Sequence, residues 1–209
     1  DVYNTIGEPK EDIEKIKNIS GVKDAYISYE MHESVCEKSN LISEINNEAL
    51  KYECTGKGVV ISIIDTGIDI NNENLQNISS DNLKITKEKT NSIINEIGRG
   101  KYVSDKIPFA YNYADGDLNL YNSSEIHGMH VTGIAAANGE DFSGVAPNAQ
   151  ILAMKVKSSY GGGFYSEDLL LAIEDSVKLK ADIINMSYGS DASVKGDDNL
   201  YKKAVEKAS

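Results

Sequence analysis

The segment EIHGMHVTGIAA, residues 125–136, sets His127 and His130 three apart at the head of a run of small residues. Three fates fit such a pair: metal ligation, acid–base work by one of the two, or a plain helix surface. Metal is disfavoured, because the segment lacks the glutamate of an HExxH helix and no third ligand stands at a suitable spacing. Acid–base work needs a partner. A histidine at a helix N-terminus has its cationic form disfavoured by the helix dipole, so a carboxylate must stabilise the imidazolium. Asp65, at the end of the apolar run in ISIIDTGID, is the candidate. Thr66-Gly67 behind it permits a tight turn and a close approach. From local context alone a turn or capping role for Asp65 stays open, and only the fold can bring it to His127.

The elements that would position these groups can be read from periodicity. Val59 to Ile64 form a continuous apolar run, as expected of a strand buried on both faces of a parallel sheet. Downstream the pattern alternates: a helix near 127–138, a strand at 151–156, a helix near 166–179, a strand at 182–187 and an incipient helix from about 198. This order indicates an α/β domain of βαβ units, a parallel sheet flanked by helices. Ligands then bind at the carboxyl ends of the strands, where Asp65 lies. Residues 71–107 are polar, Asn-rich and without strong period, and read as surface excursions. Near the start, Pro9, Ile13, Ile16 and Ile19 suggest a helix, and VKDAYISY (22–29) alternates as a strand. That helix–strand unit is too small to fold alone and must rest on something else. Residues 31–55 read as a polar linker and a short helix with a weak period at Leu41, Ile45, Ala49 and Leu50.

Composition narrows the class. A net charge of −12, from 33 acidic and 21 basic residues, argues against sequence-independent binding to nucleic acid or an anionic membrane. Cys36 and Cys54 make neither a disulfide framework nor a CxxC metal pair. No apolar stretch approaches the ~20 residues that span a bilayer. The chain opens DVYNTIGEPK, without an initiator Met or a secretory leader, and is expected to be an internal piece of a longer polypeptide.

ISIIDTGID, HGMHVTGIAA, GVAPNAQILAMKV and DIINMSYGS, in this order, resemble the subtilisin-like serine proteases. The order Asp, then His, then a later Ser is that of subtilisin. NYAD (112–115) and AIEDSVKLKADIINMSYGSD (172–191) bring the resemblance nearest to the cell-envelope proteinases of Gram-positive bacteria, the lactocepin and C5a-peptidase-like group. The resemblance implies the N-terminal part of a subtilisin-like catalytic domain over 56–209, from a protein that hydrolyses peptide bonds through an acyl-enzyme. It implies His127 as general base and Asp65 as the acid that orients it, with His130 a packed, hydrogen-bonded helix residue. Substrate strands are implied along Gly161, Gly162, Gly163 and Phe164 and along Ser187, Tyr188 and Gly189, where a peptide would add as a β-strand. Residues 1–30 resemble the end of a propeptide that acts as chaperone and inhibitor with its tail in the cleft, and a maturation cut is expected between about residues 30 and 45. An extracellular, secreted or wall-attached location follows from the same resemblance.

Two features depart from the family pattern. The nucleophile's GTSMA-type motif and the oxyanion Asn in a GN context do not occur in these 209 residues, and Asn185 in INMS is an earlier structural segment. This chain alone is therefore expected to be silent, to need a further part of the catalytic domain as partner, and to leave strands 151–156 and 182–187 with an uncovered neighbour. A non-catalytic pseudoprotease or binding fragment is the alternative, and a metal hydrolase on His127 and His130 a second. No cofactor is required for the chemistry. Structural calcium, common in the family, lacks a motif here: ADGDLNL offers Asp115, Asp117 and Asn119 but has Leu120 and Ile126 where an EF-hand needs Gly and Glu, and ANGEDFSG (137–144) looks shortened.

Overall fold

The structure is a computed structural model that describes residues 15–20, 30–33, 54–81, 83–140, 142–189 and 200–209. The expected strand at 22–29, the short helix after residue 40 and Cys36 lie outside the described residues. Residues 15–17, within the expected first helix, are helical.

Four strands form the parallel sheet: β2 (Val60–Asp65), β3 (Phe109–Asn112), β4 (Gln150–Lys155) and β6 (Ile183–Asn185), in the order β3-β4-β2-β6. β2 is central and buried at all six positions, the reason its sequence shows no alternation. Side chains on a strand alternate between faces, so β2 divides its residues between two cores. Val60 and Ile64 join Phe109, Leu152, Met154 and Leu169 on one face, while Ile61 and Ile63 join Ala110, Ile151, Ala153 and Ala136 on the other. By the same parity Asp65 belongs to the second face. Helix α2 (His127–Ala136) covers that face, and its narrow side of Gly128, Thr132 and Ala136 lets it approach closely.

The opposite face carries α1 (Lys87–Ile97), α3 (Ser166–Lys178) and α4 (Leu200–Ala208), which contribute Ile93, Ile94, Leu169, Ile173 and Val205 to its core. α1 interrupts the stretch read from sequence as surface excursions. Thr86 caps its start by accepting from the Lys89 N–H at 3.4 Å, and Gly98 closes it in the left-handed region. Arg99, just beyond, holds the fully buried Asp175 of α3 through Nε at 2.7 Å and through a second guanidinium nitrogen at 3.2 Å. Tyr113 donates to the same carboxylate at 2.9 Å, so a buried charge is both paired and hydrogen-bonded.

A second, smaller sheet is antiparallel. β1 (Glu30–Glu33) runs between β5 (Phe164–Tyr165) and β7 (Tyr188–Gly189), with Glu30 opposite Tyr165, Met31 opposite Phe164, His32 opposite Gly189 and Glu33 opposite Tyr188. Residues 31–33 are thus a strand rather than the start of a linker, made by pairing to distant segments. The expectation that 151–156 lacks a neighbour is also corrected. β4 lies between β3 and β2, and it is β6 that stands at the margin of the described sheet, with Ile183 52% exposed.

Candidate active site

The last residue of β2 and the first residue of α2 meet at the carboxyl edge of the sheet. His127 Nδ1 lies 2.8 Å from Asp65 Oδ1, with the carboxylate 1% exposed and the imidazole 13%. An ionised carboxylate only accepts hydrogen bonds, so with Asp65 ionised this contact requires the proton on Nδ1 and makes Nε2 the ring's acceptor nitrogen. The same Oδ1 accepts from the Thr66 N–H at 2.7 Å. Thr66 Oγ1 in turn accepts from the Gly128 N–H at 2.8 Å and donates to the Glu125 carbonyl at 3.2 Å. One threonine therefore ties the turn after β2 to the start of the helix.

Close approach at this junction depends on two glycines. A Cβ at Gly128 would fall 2.4 Å from the Gly67 carbonyl oxygen and 3.2 Å from Asp65 Oδ1. Gly67 has φ +103, and a Cβ there would meet the Leu120 carbonyl oxygen at 2.2 Å and Lys155 Cδ at 2.9 Å. The sequence signals, TG after the strand and HG at the helix start, mark the two backbones that touch.

Lys155 stands beside Asp65 in the ladder and is 1% exposed. Its ammonium donates to the Asn119 carbonyl at 3.2 Å and to Ser159 Oγ at 2.5 Å, and Asp115 Oδ2 lies 3.9 Å away. The Asn112 amide donates to Asp115 Oδ2, Asp117 Oδ1 and the Asn119 carbonyl at 2.9, 2.7 and 3.1 Å. The oxygens that look from sequence like the start of a calcium loop thus close around an amide and an ammonium of the protein itself. Burial raises the Asp115 carboxyl, but hydrogen bonds from Ser158, Ser159 and Asn112 outweigh it and hold it at about 2. Asn112 enters the sequence reading only within NYAD, and Lys155 only within an apolar strand, so neither stands out there as part of a polar cluster. Among the described residues, no group of three or more His, Cys, Asp or Glu is placed to hold a metal ion.

His130 is exposed rather than packed, and lines a shallow pocket with Asn72, Leu75, Met129 and Phe142. Gly161 and Gly162 lie exposed ahead of β5 with φ +106 and +92, a backbone that L side chains rarely adopt, and Gly163 is buried. The ladder itself takes Phe164 and, beyond the sequence expectation, Tyr165. Ser187 accepts from Asn185 Nδ2 at 2.9 Å just before β7, which supplies Tyr188 and Gly189. Because Asn185 faces Ile63, two residues short of Asp65, β1 runs toward the Asp65–His127 edge as it passes from Glu30 to Glu33.

An extended strand led toward a histidine–aspartate pair at the carboxyl edge of a parallel sheet is the arrangement of a subtilisin-type hydrolase. Residues 56–209 match the profile of the subtilase family, and the chain belongs to that family. It is 37% identical over 191 residues to the PII-type proteinase of Lacticaseibacillus paracasei and to the PI-type proteinase of Lactococcus lactis subsp. cremoris, covering 87% of this chain and 10% of each relative. A C5a peptidase of Streptococcus pyogenes is 32% identical over 148 residues, which is 66% of this chain and 12% of that protein. The chain thus spans about a tenth of the length of these relatives. The crystal structure of a lanthipeptide protease aligns with a TM-score of 0.50 and 21% identity over 79% of this chain and 40% of that one, a likeness of fold alone. Among the described residues, no helix is long and apolar enough to cross a membrane.

Proposed function

We propose that this chain is part of a serine endopeptidase that cuts extracellular proteins or peptides through an acyl-enzyme, and that the protein acts outside the cell, secreted or wall-attached. His127 takes the proton of the attacking serine at Nε2 and returns it to the leaving amine. Asp65 holds the ring in that tautomer and stabilises the imidazolium. The reading requires a nucleophilic serine and an oxyanion donor elsewhere in the protein, since no GTSMA-type motif occurs in the 209 residues. No metal or other cofactor enters the chemistry.

The observation that carries the proposal is the contact of His127 and Asp65 at 2.8 Å, toward which β1 runs between β5 and β7. A peptide backbone paired on both edges is held straight across the groups that would cleave it. Residues 1–30 then serve as the propeptide's last part and β1 as the protein's own first substrate, with Phe164, Tyr165, Tyr188 and Gly189 as the substrate-pairing residues and Gly161, Gly162, Gly163 and Ser187 flanking them. Maturation falls in the few residues after Glu33. The test is fluorophosphonate labelling of the whole protein, with mass spectrometry of its N-terminus. Labelling that vanishes in His127→Ala, with a new N-terminus between residues 34 and 37, is the expected result. Labelling indifferent to His127→Ala overturns the catalytic assignment, and an active chain that keeps residues 9–29 overturns the maturation step.

A further inference from the structure

The channel that holds β1 has an aromatic floor with a cation at one end. Phe164 of β5 and Tyr188 of β7 lie on strands either side of β1, yet their rings stack with centroids 4.8 Å apart and planes at 22°. Outer strands of a three-stranded sheet are about 9.6 Å apart, so the rings meet beneath the middle strand. Directly opposed residues of an antiparallel ladder share a face. A peptide residue at the position of Met31 therefore shares the face of Phe164, and one at the position of Glu33 shares the face of Tyr188.

Lys157 pairs with Phe164 in an antiparallel bridge and places Nζ 5.9 Å from the Phe164 ring centroid. The same nitrogen lies 3.1 Å from Glu125 Oε2, two residues before His127. The ammonium thus stands between the ring beneath position 31 and the segment that delivers His127. Lys157 shares the register of Phe164 and position 31, and position 33 is the next residue on that face, on the side toward His127. With only 17% of its side chain exposed, Lys157 holds its charge where a pair is screened less than on an open surface.

We infer that Lys157 is a specificity-determining residue, which selects an acidic side chain, Asp or Glu, at the peptide position that Glu33 takes in β1. The chain carries an acid at that register position itself. An ammonium has three donors, so a peptide carboxylate can share it with Glu125. The inference rests on the proteolytic reading above and adds the substrate chemistry of one position.

The test uses the whole protein and peptides that differ only at this position, bearing Glu, Gln or Lys. The expected kcat/KM is roughly three- to five-fold higher for Glu than for Gln, about the worth of one partly screened ion pair, and lower still for Lys. Raising salt from 0.05 to 0.5 M should shrink the Glu-to-Gln ratio. Lys157→Met should bring that ratio to within about two-fold, and Lys157→Arg should keep it. Equal rates for the Glu and Gln peptides in the unaltered protein overturn the inference without any variant, and so does a ratio that survives in Lys157→Met. Failure to cut any peptide, together with no fluorophosphonate labelling, removes the protease reading itself and is distinguishable from a lost preference.

Discussion

His127 Nδ1 and Asp65 Oδ1 stand 2.8 Å apart although one residue ends a strand and the other begins a helix. The carboxylate is fixed by the Thr66 N–H as well, so the imidazole meets an acceptor that is already oriented. Asp65→Asn keeps the size of the side chain but offers an amide that can impose the wrong tautomer. In the whole protein kcat should fall by about 10⁴-fold with little change in KM. Steady-state kinetics on one peptide checks this, and a loss under ten-fold would remove Asp65 from the machinery.

Gly128 and Gly133 lie on the same helix but predict opposite outcomes. A Cβ at Gly128 meets backbone at 2.4 Å, whereas one at Gly133 meets only Phe142 Cε1 at 3.6 Å. Gly128→Ala should cost about 1–3 kcal/mol and lower kcat on the order of 10²-fold by shifting His127. Gly133→Ala should be neutral or stabilise by about 0.5–1 kcal/mol. Thermal melts of the two variants side by side give the comparison.

Asp168, in the first turn of α3, gives stability a dependence on acid. Burial, with Glu167 and Asp115 adding to it, pushes its carboxyl up to about 7. In the unfolded chain the group titrates near 4. Its contribution is therefore complete below pH 4 and is lost as pH rises through 7. Asp168→Asn should match the unaltered protein at pH 4 and exceed it by on the order of 1 kcal/mol at pH 8, allowing for partial screening. Urea denaturation at the two pH values checks the sign.

Lys106 predicts the opposite trend at higher pH. It is fully buried, donates to the Pro147 and Ala149 carbonyls at 2.6 and 2.9 Å, and burial pulls its ammonium down to about 7. The unfolded chain keeps that proton to about pH 10.4, so from pH 7 upward the unfolded state binds more protons. This one group makes stability rise with pH across that window, by at most about 1.4 kcal/mol per pH unit. Lys106→Met should flatten the rise between pH 7 and 10, and parallel stability curves for the two proteins would contradict the assignment.

What could be read from sequence follows from how local each signal is. VISIID has no alternation because both faces are covered, and TG and HG mark the backbones in closest contact. α1 is hidden in the sequence because Ile93, Ile94 and Ile97 sit in a polar segment and are only partly buried, although its capping Thr86 and closing Gly98 mark both ends. β1 left no trace, since EMHE becomes a strand only by pairing with Phe164–Tyr165 and Tyr188–Gly189 more than a hundred residues away. Lys155 and Asn112 look like surface residues until the fold gathers Asp115, Asp117, Asn119 and Ser159 around them. Polar burial of that kind depends on partners from two segments, 112–119 and 155–159, that only the fold brings together.

The strand seated between β5 and β7 is covalently part of the molecule it occupies. Its local concentration is that of a tethered ligand, on the order of millimolar for a short flexible tether, while free substrate must compete from micromolar levels. A cut after Glu33 would change that ratio before it changes any contact: the piece that ends in β1, once untethered, dilutes into bulk solvent. If the cut falls after Glu33 as proposed, activity should appear with a first-order lag set by strand departure, and dilution should raise the final rate by limiting rebinding. A tenfold excess of that peptide added back should lower the final rate again, without altering the enzyme at all.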